Sequence, residues 1–516
     1  MRFQLRRGVG IALASLVALA LLPASRALSE APYNNPVIAG DFADPSVVRV
    51  GSEYFASATS GEWAPSFPLQ RSTDLVNWVV IGALFDQPPV WTAGVYWAPD
   101  LSVQDGRFRA YYTARRAGGR PCIGVATAAR PAGPYHDRGP LLCPPRGGAI
   151  DPHVAEVAPG RRVLVYKQMG LGAPLRVTDL SPDGLHVARR GVAVLRPDQP
   201  WERGVTENPF LVQRPDGWYL FYSGGNCCRP PCSYAVGVAR APTPTGPYTK
   251  LAEGPILRGN DRFMCPGGGS VVTQPAGDMV LAYHAYDRAD PGLGRQMLVD
   301  ELTWRPDGWP QVGTGVGPSP TATSTLAAGQ RTPQPIADDF GGRGLPPGWH
   351  WPFDRRPAYR VGRGLTLHVG PGDQMSTFAA RQSPYRAFVA TAAVHRDLLR
   401  PMSTASLAIS RASGDRAVGI GISTSGVTVW RRDELLRGLL AATPLAPAAV
   451  VQVRFVVPGD GTILPQLSLD GATWQDLRPP IVIPGGMDGT RVLLAGRGRR
   501  GDAVRFGSLR IDPLGA

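Results

Sequence analysis

Three acids stand in closely similar short stretches: Asp44 in FADPSV, Asp151 in AIDPHV and Glu207 in TENPFL. In each, a proline follows within two residues. An acid before proline is first of all a turn residue. Proline pushes its predecessor out of the α region, and Asp bonds its own backbone. Three acids in one such setting ask for more than a turn. Carboxyl groups gathered without a counter-ion repel one another, and some hold their protons to higher pH. Such a set can do general acid–base work, one group giving a proton while another takes one. It can also hold a hard cation. That use favours closely spaced D-x-D patterns, and none is found near these three.

The elements between the acids decide whether they meet. Five strand-like, alternating segments centre on Tyr54, Tyr111, Tyr166, Phe221 and Tyr283, at intervals of 57, 55, 55 and 62 residues. Upstream of each lies a turn: the three above, YWAPDL with Trp97, and PGGGSV with Gly268. Downstream of each lies a further strand and turn, as in VGVARAPTPTGPY. Such a period, with three or four short strands per unit, predicts a β-propeller of five blades. A β-sandwich without a true repeat is the plainer alternative, and register held over five units argues against it. The first strand of each blade lines the central axis. Asp44, Asp151 and Glu207 are therefore expected at one phase of the repeat, in blades one, three and four, facing one funnel.

A chain of 516 residues predicts more than one domain. Residues 1–29, basic at Arg2, Arg6 and Arg7 and then apolar, read as a secretory signal. Residues 33–312 hold the repeat, and residues 313–335 are a Pro/Ser/Thr/Gly-rich linker. Residues 336–516 alternate as an all-β sandwich does, in GLTLHV, VVQVRFVV and RVLLAG. The mature protein is expected outside the cytoplasm and free of the membrane. Six cysteines suit disulfides there, with Cys122–Cys143 the first expected pair because they flank one strand pair. The cluster GGNCCRPPCS lacks His neighbours and a second CxxC, so zinc is not expected. The net charge of +14 comes from scattered arginines, with Lys167 and Lys250 the only lysines, and predicts no nucleic-acid partner.

Taken in order, NPVIAGDFADPSVVRVGSEYF, YWAPDLSVQDGRFRAYYT, AIDPHV, VTENPFLVQRPDGWYLFYSGG and YHAYDRADPGLGRQMLVDELTWRPDGWP resemble glycoside hydrolase family 43, over roughly Asn35 to Val312. The resemblance implies a five-bladed propeller that hydrolyses α-L-arabinofuranosidic or β-D-xylosidic linkages with inversion. Its partners would be arabinan, arabinoxylan or their oligosaccharides. By position Asp44 would be the general base, Glu207 the general acid, and Asp151 the group that tunes and orients Glu207. Arg295 matches a family arginine near the pocket and would bind substrate; a surface ion pair is its bland alternative. Family members often carry a His in the fifth blade where this chain has Gly268, and arabinanases use that His to hold a central ion. No cofactor is therefore expected here; a structural central ion is the alternative, put in doubt by the missing His. His284 is expected to serve its own blade's packing, and Asp41 to be a solvated turn residue.

Sugar rings want aromatic platforms. Trp63, Phe67, Trp91 and Trp97, with Tyr96, are the candidates nearest Asp44 in the ring of blades. The opening DDFGGRGLPPGWHW of the second unit resembles the jelly-roll domain that follows the propeller in many family xylosidases. There it packs on the propeller and helps close the pocket; a carbohydrate-binding role is the alternative. Retaining fructan hydrolases share the fold but match worse at all three acids. A catalytically silent carbohydrate-binding propeller is the reading from a different class, and the presence of all three acids argues against it.

Overall fold

The aromatic period of the sequence is the packing between blades. Tyr54, Tyr111, Tyr166, Phe221 and Tyr283 are each 2% exposed or less. They sit on second strands such as Arg107–Arg115 and Met279–Asp287, which are buried almost end to end because neighbouring blades cover both faces. The computed structural model describes residues 1, 31–145, 147–188, 191–324, 329–411, 416–433, 437–482 and 489–515. The expected signal at 1–29 therefore lies outside the described residues, except for Met1. Helix is confined to three short 3₁₀ turns among the described residues, the longest covering three positions.

Five four-stranded antiparallel sheets form the blades, each from strands that follow one another in the chain. Their innermost strands are Ser46–Val50, Trp97–Gln104, Ala149–Ala158, Thr206–Arg214 and Phe263–Thr273. One residue at the axis end of each blade has a positive φ: Asp44 (52°), Ala98 (39°), Asp151 (55°), Asn208 (52°) and Gly268 (56°). Proline follows the first four of them. An L residue in this region is held there only by its surroundings.

Those surroundings form a ring. Each of the five residues donates its backbone N–H to a side chain of the preceding blade. Ala98 bonds Thr59 Oγ1 at 2.8 Å, Asp151 bonds Thr113 Oγ1 at 3.0 Å, and Asn208 bonds Asp151 Oδ2 at 3.1 Å. Gly268 bonds Ser223 Oγ at 2.9 Å, and Asp44 closes the circle on His284 Nδ1 at 3.1 Å. Buried amides need such partners. Here the partner is always the neighbouring blade, so the ring of bonds also fixes the order of the blades. A second tie joins blade five to blade one, where Val47 N–H donates to Ser270 Oγ at 3.0 Å.

Beyond the propeller, two sheets pack face to face around Leu407, Ile420, Val453, Phe455, Leu494, Phe506 and Ile511. The strand Phe388–His395 shows the strict buried-then-partial alternation of a sandwich. The Pro/Ser/Thr-rich stretch is partly structured: Thr321–Ser324 pairs antiparallel with Ala31–Asn34. The sandwich and propeller share a sheet. Trp351 and Pro352 pair with Ala64 and Trp63, which leave the first blade to do so.

Candidate active site

Asp44 sits at the mouth of blade one, its side chain 10% exposed and both oxygens engaged. Thr59 Oγ1 donates to Oδ2 at 2.6 Å, and Asn208 Nδ2 donates to Oδ1 at 3.2 Å. Arg295 Nη1 lies 3.5 Å from Oδ2, and His284 Nδ1 lies 3.4 Å from Oδ1. Burial by itself would raise the Asp44 pKa. The Arg295 charge, His284 and the two side-chain hydrogen bonds outweigh it, and the carboxyl stays below its ordinary range. Burial pushes His284 down to about 3, so its ring is neutral near neutral pH, where Arg295 is the cation that acts. A neutral Nδ1 that accepts the Asp44 amide leaves the ring proton on Nε2.

Glu207, half-buried, accepts from Tyr234 Oη at 2.8 Å. Asp151 is 6% exposed and accepts the Asn208 amide. The pair titrates as a unit. Burial raises Asp151 well above its usual value, with Glu207 and Asp44 adding to the rise. Burial also raises Glu207, against the Tyr234 hydrogen bond and the Lys167 charge. The Asp151–Glu207 pair therefore keeps a proton to higher pH than Asp44 does. Lys167, 4% exposed, limits how far both rise.

The structure brings the three acids together at one end of the axis but corrects their phase. Asn208 occupies the repeating position of Asp44 and Asp151, and Glu207 stands one residue before it. Pro209 marks the register: it follows Asn208 as Pro45 follows Asp44. The offset lets blade four supply two groups. Asn208 bridges Asp44 and Asp151, and Glu207 is left to reach Tyr234.

Arg295 is no surface ion pair. Its side chain is 15% exposed and turned onto Asp44. Asp41 is not a solvated turn residue either; its Oδ1 accepts the Arg295 amide at 3.1 Å and fixes that strand against blade one. His284 does more than pack its own blade, since it meets Asp44 and stacks on Tyr234 with the rings 11° from parallel. Thr59, Asn208, Tyr234 and Lys167 were missed as site residues. For Asn208 the signal was present, as the residue before the proline.

Most of the aromatic candidates are elsewhere. Phe67 is fully buried against Phe85, Tyr96 and Tyr112, with no face to offer a sugar. Tyr96, itself fully buried, is part of the same core. Trp63 is 7% exposed and lies between the units, edge-on to Phe378 and under Arg491. Trp91 stacks on Tyr112 and donates to Asp137 on the outermost strand of blade two, away from the axis. Trp97 alone of these is half-exposed at the axis end, next to Ala98.

Gly268 explains the lack of a His at its position. A Cβ there would lie 2.5 Å from Asp44 Oδ1 and 2.8 Å from the His284 ring. Gly267 leaves room for the Tyr234 ring in the same way. Gly268 brings no ligand to a central cation, and His284 Nδ1 already accepts an amide. Among the described residues no group of three His, Cys, Asp or Glu side chains is arranged to hold a metal.

Three disulfides are formed: Cys122–Cys143 within blade two, the adjacent pair Cys227–Cys228, and Cys232–Cys265.

The family model for glycosyl hydrolases family 43 matches residues 33–310. A non-reducing-end α-L-arabinofuranosidase of Bacteroides ovatus is 28% identical over 67% of this chain and 65% of its own length. This chain thus spans just under two thirds of that relative. An extracellular exo-α-(1→5)-L-arabinofuranosidase of Cellvibrio japonicus is 30% identical over 58% of this chain and 91% of its own. In fold, a xylan β-1,4-xylosidase from Bacillus halodurans superposes with a TM-score of 0.82 at 21% identity, over 93% of this chain and 99% of its own.

Proposed function

This chain belongs to glycosyl hydrolases family 43, and from that premise we propose that it is an inverting, exo-acting α-L-arabinofuranosidase, with β-D-xylosides as its second substrate class. One observation carries the reading. Two accessible carboxyl groups share the axis with opposite proton affinities, Asp44 lowered and Glu207 raised. Ionised Asp44 takes a proton from water as that water attacks the anomeric carbon. Protonated Glu207 gives its proton to the departing oxygen. Asp151 acts through Glu207, whose proton it helps retain. Inversion needs a water between base and acid, hence a carboxyl separation of roughly 6.5–9.5 Å.

The names of the two sequence relatives support the arabinoside, and that of the structural neighbour supports the xyloside. The natural substrate is then arabinan, arabinoxylan or their oligosaccharides. Export fits the basic-then-apolar start at 1–29, the three disulfides and a relative named as extracellular. Among the described residues no helix is long and apolar enough to cross a membrane.

The test is a panel of nitrophenyl glycosides with NMR of the first-formed sugar. Turnover of the α-L-arabinofuranoside with an inverted anomer is expected, and Glu207→Ala should lower the rate by at least about a hundredfold while the protein stays folded. A retained anomer would remove Asp44 as the base. The pH–rate profile should be a bell. Activity falls in acid as Asp44 is protonated, below the ordinary carboxylate range, and falls at higher pH as the Asp151–Glu207 pair gives up its proton.

A further inference from the structure

Arginines scattered along the chain are partly gathered by the fold. Each blade's first strand starts beside the acids and pairs there with the end of the second: Trp97 faces Thr113, Ala149 faces Gln168, and Thr206 faces Gly224. Loops from second to third strand, and connectors that enter a first strand, therefore lie on the acid-bearing face. Arg116 and Arg120 are in such a loop of blade two, and Arg203 is in the connector into blade four. All three are exposed, and none meets a carboxylate among the described residues. The opposite face differs. There Arg71, Arg161, Arg162, Arg214 and Arg305 each pair with an acid. Arg107 and Arg130 are exposed on that face without an acid, both on blade two.

Contacts join the three free arginines into one rim. A Cβ on Gly148 would lie 3.6 Å from Arg120 Cβ, and Met169 N–H bonds the Gly148 carbonyl at 3.1 Å. Further along that loop, Gly172 N–H bonds the Gly204 carbonyl at 3.0 Å, next to Arg203. Leu171 stands between, 85% exposed, its Cδ1 3.1 Å from where a Gly204 Cβ would be. Arg203 is held at φ 50°, where glycine would sit at no steric cost. The rim runs over blades two to four, beside the acids. Arg116 follows closely on Thr113, which holds the Asp151 amide, and Arg203 shortly precedes Glu207. Glu207 protonates the departing oxygen, so the leaving chain lies on this side of the pocket. A guanidinium binds a carboxylate in a forked, charge-assisted pair, and an exposed leucine suits the C–H face of a sugar ring.

We propose that this rim reads the carboxylates of an acidic polysaccharide, uronic acid groups carried by the main chain from which the sugar is cut. Arg116, Arg120 and Arg203 bind the carboxylates, and Leu171 lies under a ring between them. This names the substrate of the glycoside reading more narrowly and rests on that reading. The role is one of binding and specificity.

The full chain is assayed on an arabinofuranosylated xylan bearing glucuronic acid, and on the same polymer after its carboxyl groups are reduced to alcohols. At low salt kcat/KM should be about tenfold higher on the acidic form. At about 1 M salt, where the Debye length is about 3 Å, the ratio should fall toward one. Arg116→Gln, Arg120→Gln and Arg203→Asn together should bring the ratio toward one at low salt with Tm held, since Asn tolerates the left-handed φ. Arg107→Gln with Arg130→Gln, on the opposite face, should keep it. Equal rates of wild type on the two polymers overturn the proposal. So does a preference that survives the triple variant, or one that the opposite-face pair also removes, which would mean that net charge and not the rim is at work.

A second measurement needs no turnover. Interferometry of wild type on the two immobilised polymers should show tighter binding to the acidic form, and equal binding overturns the rim. If wild type hydrolyses no glycoside, the catalytic reading falls, and the binding comparison still decides whether the arginines meet uronic acids.

Discussion

At the scale of single residues, the site works by unequal treatment of like groups. Asp44 and Asp151 share a φ, a following proline and a place on the axis. Arg295 reaches only the first, and the second faces Glu207. Asp151 is therefore kept at a cost to the fold. Its folded pKa is raised above the unfolded value, so the folded state binds more protons and stability falls as pH rises between the two. Asp151→Asn removes that cost and retains an acceptor for the Asn208 amide. Its Tm should exceed wild type at neutral pH and match it below about pH 4, where an ordinary carboxyl is protonated as well. Its kcat should fall, and the high-pH limb of the rate profile should move down, since Glu207 loses the neighbour that holds its proton. Thermal melts at both pH values and one rate profile check this. An equal Tm at both pH values would mean that the buried charge costs nothing.

The legibility of the sequence also divides by residue. Asp44 and Asp151 could be read because proline punctuates them. Glu207 was read for the wrong reason: matching acid to acid hid the proline register, which belongs to Asn208. His284 was unreadable beside Tyr283, because adjacent strand residues face opposite ways. Tyr283 goes between the blades, where it bonds Asp300, and His284 goes to the axis. Trp63, Phe67, Trp91 and Tyr96 lie elsewhere because closeness in sequence to Asp44 does not say which face a side chain takes.

At the scale of elements, the fifth blade's inner strand is built to be thin where it passes the acids. Gly268 is held at φ +56°, with Asp44 and His284 in the space a side chain would fill. Gly268→Ala should cost about 1–3 kcal/mol of stability through overpacking alone. It should cost activity as well, because the atom displaced is Asp44 Oδ1. Denaturant melts and kcat/KM on one substrate check both effects. The strand repeat itself was open to sequence reading because the inter-blade aromatics recur. The pairing of Trp63–Ala64 with a strand nearly 300 residues away was not, because two residues carry no pattern.

At the scale of the whole molecule, the sandwich grips the propeller at loops that serve the site. Trp351 and Pro352 extend the segment that follows Thr59, and Phe353 N–H bonds the Glu62 carbonyl at 3.0 Å. Gly489 N–H bonds the Gly292 carbonyl at 2.7 Å, in the turn that leads to Arg295. Arg491, 5% exposed, lies over Trp63 and is steadied in its charged form by Asp41, the residue that accepts the Arg295 amide. Residues 31–335 alone retain all three acids, yet they should express poorly or show far lower kcat/KM than the full chain. Co-purification and assay of the two lengths settle the point, and full activity in the short form would make the sandwich a passenger.

The hydrogen-bonded circle at the axis has a consequence in time. The clasp between the last blade and the first is Asp44 on His284, and Arg295 arrives on the same final blade. Until some 250 residues after Asp44 have been made and docked, that carboxyl has neither its ring partner nor its cation. A chain still being synthesised or threaded carries all the letters of the site and none of its chemistry. Hydrolytic competence and completion of the circle are then a single event, and the appearance of activity during refolding is a clock for the closing of the last blade.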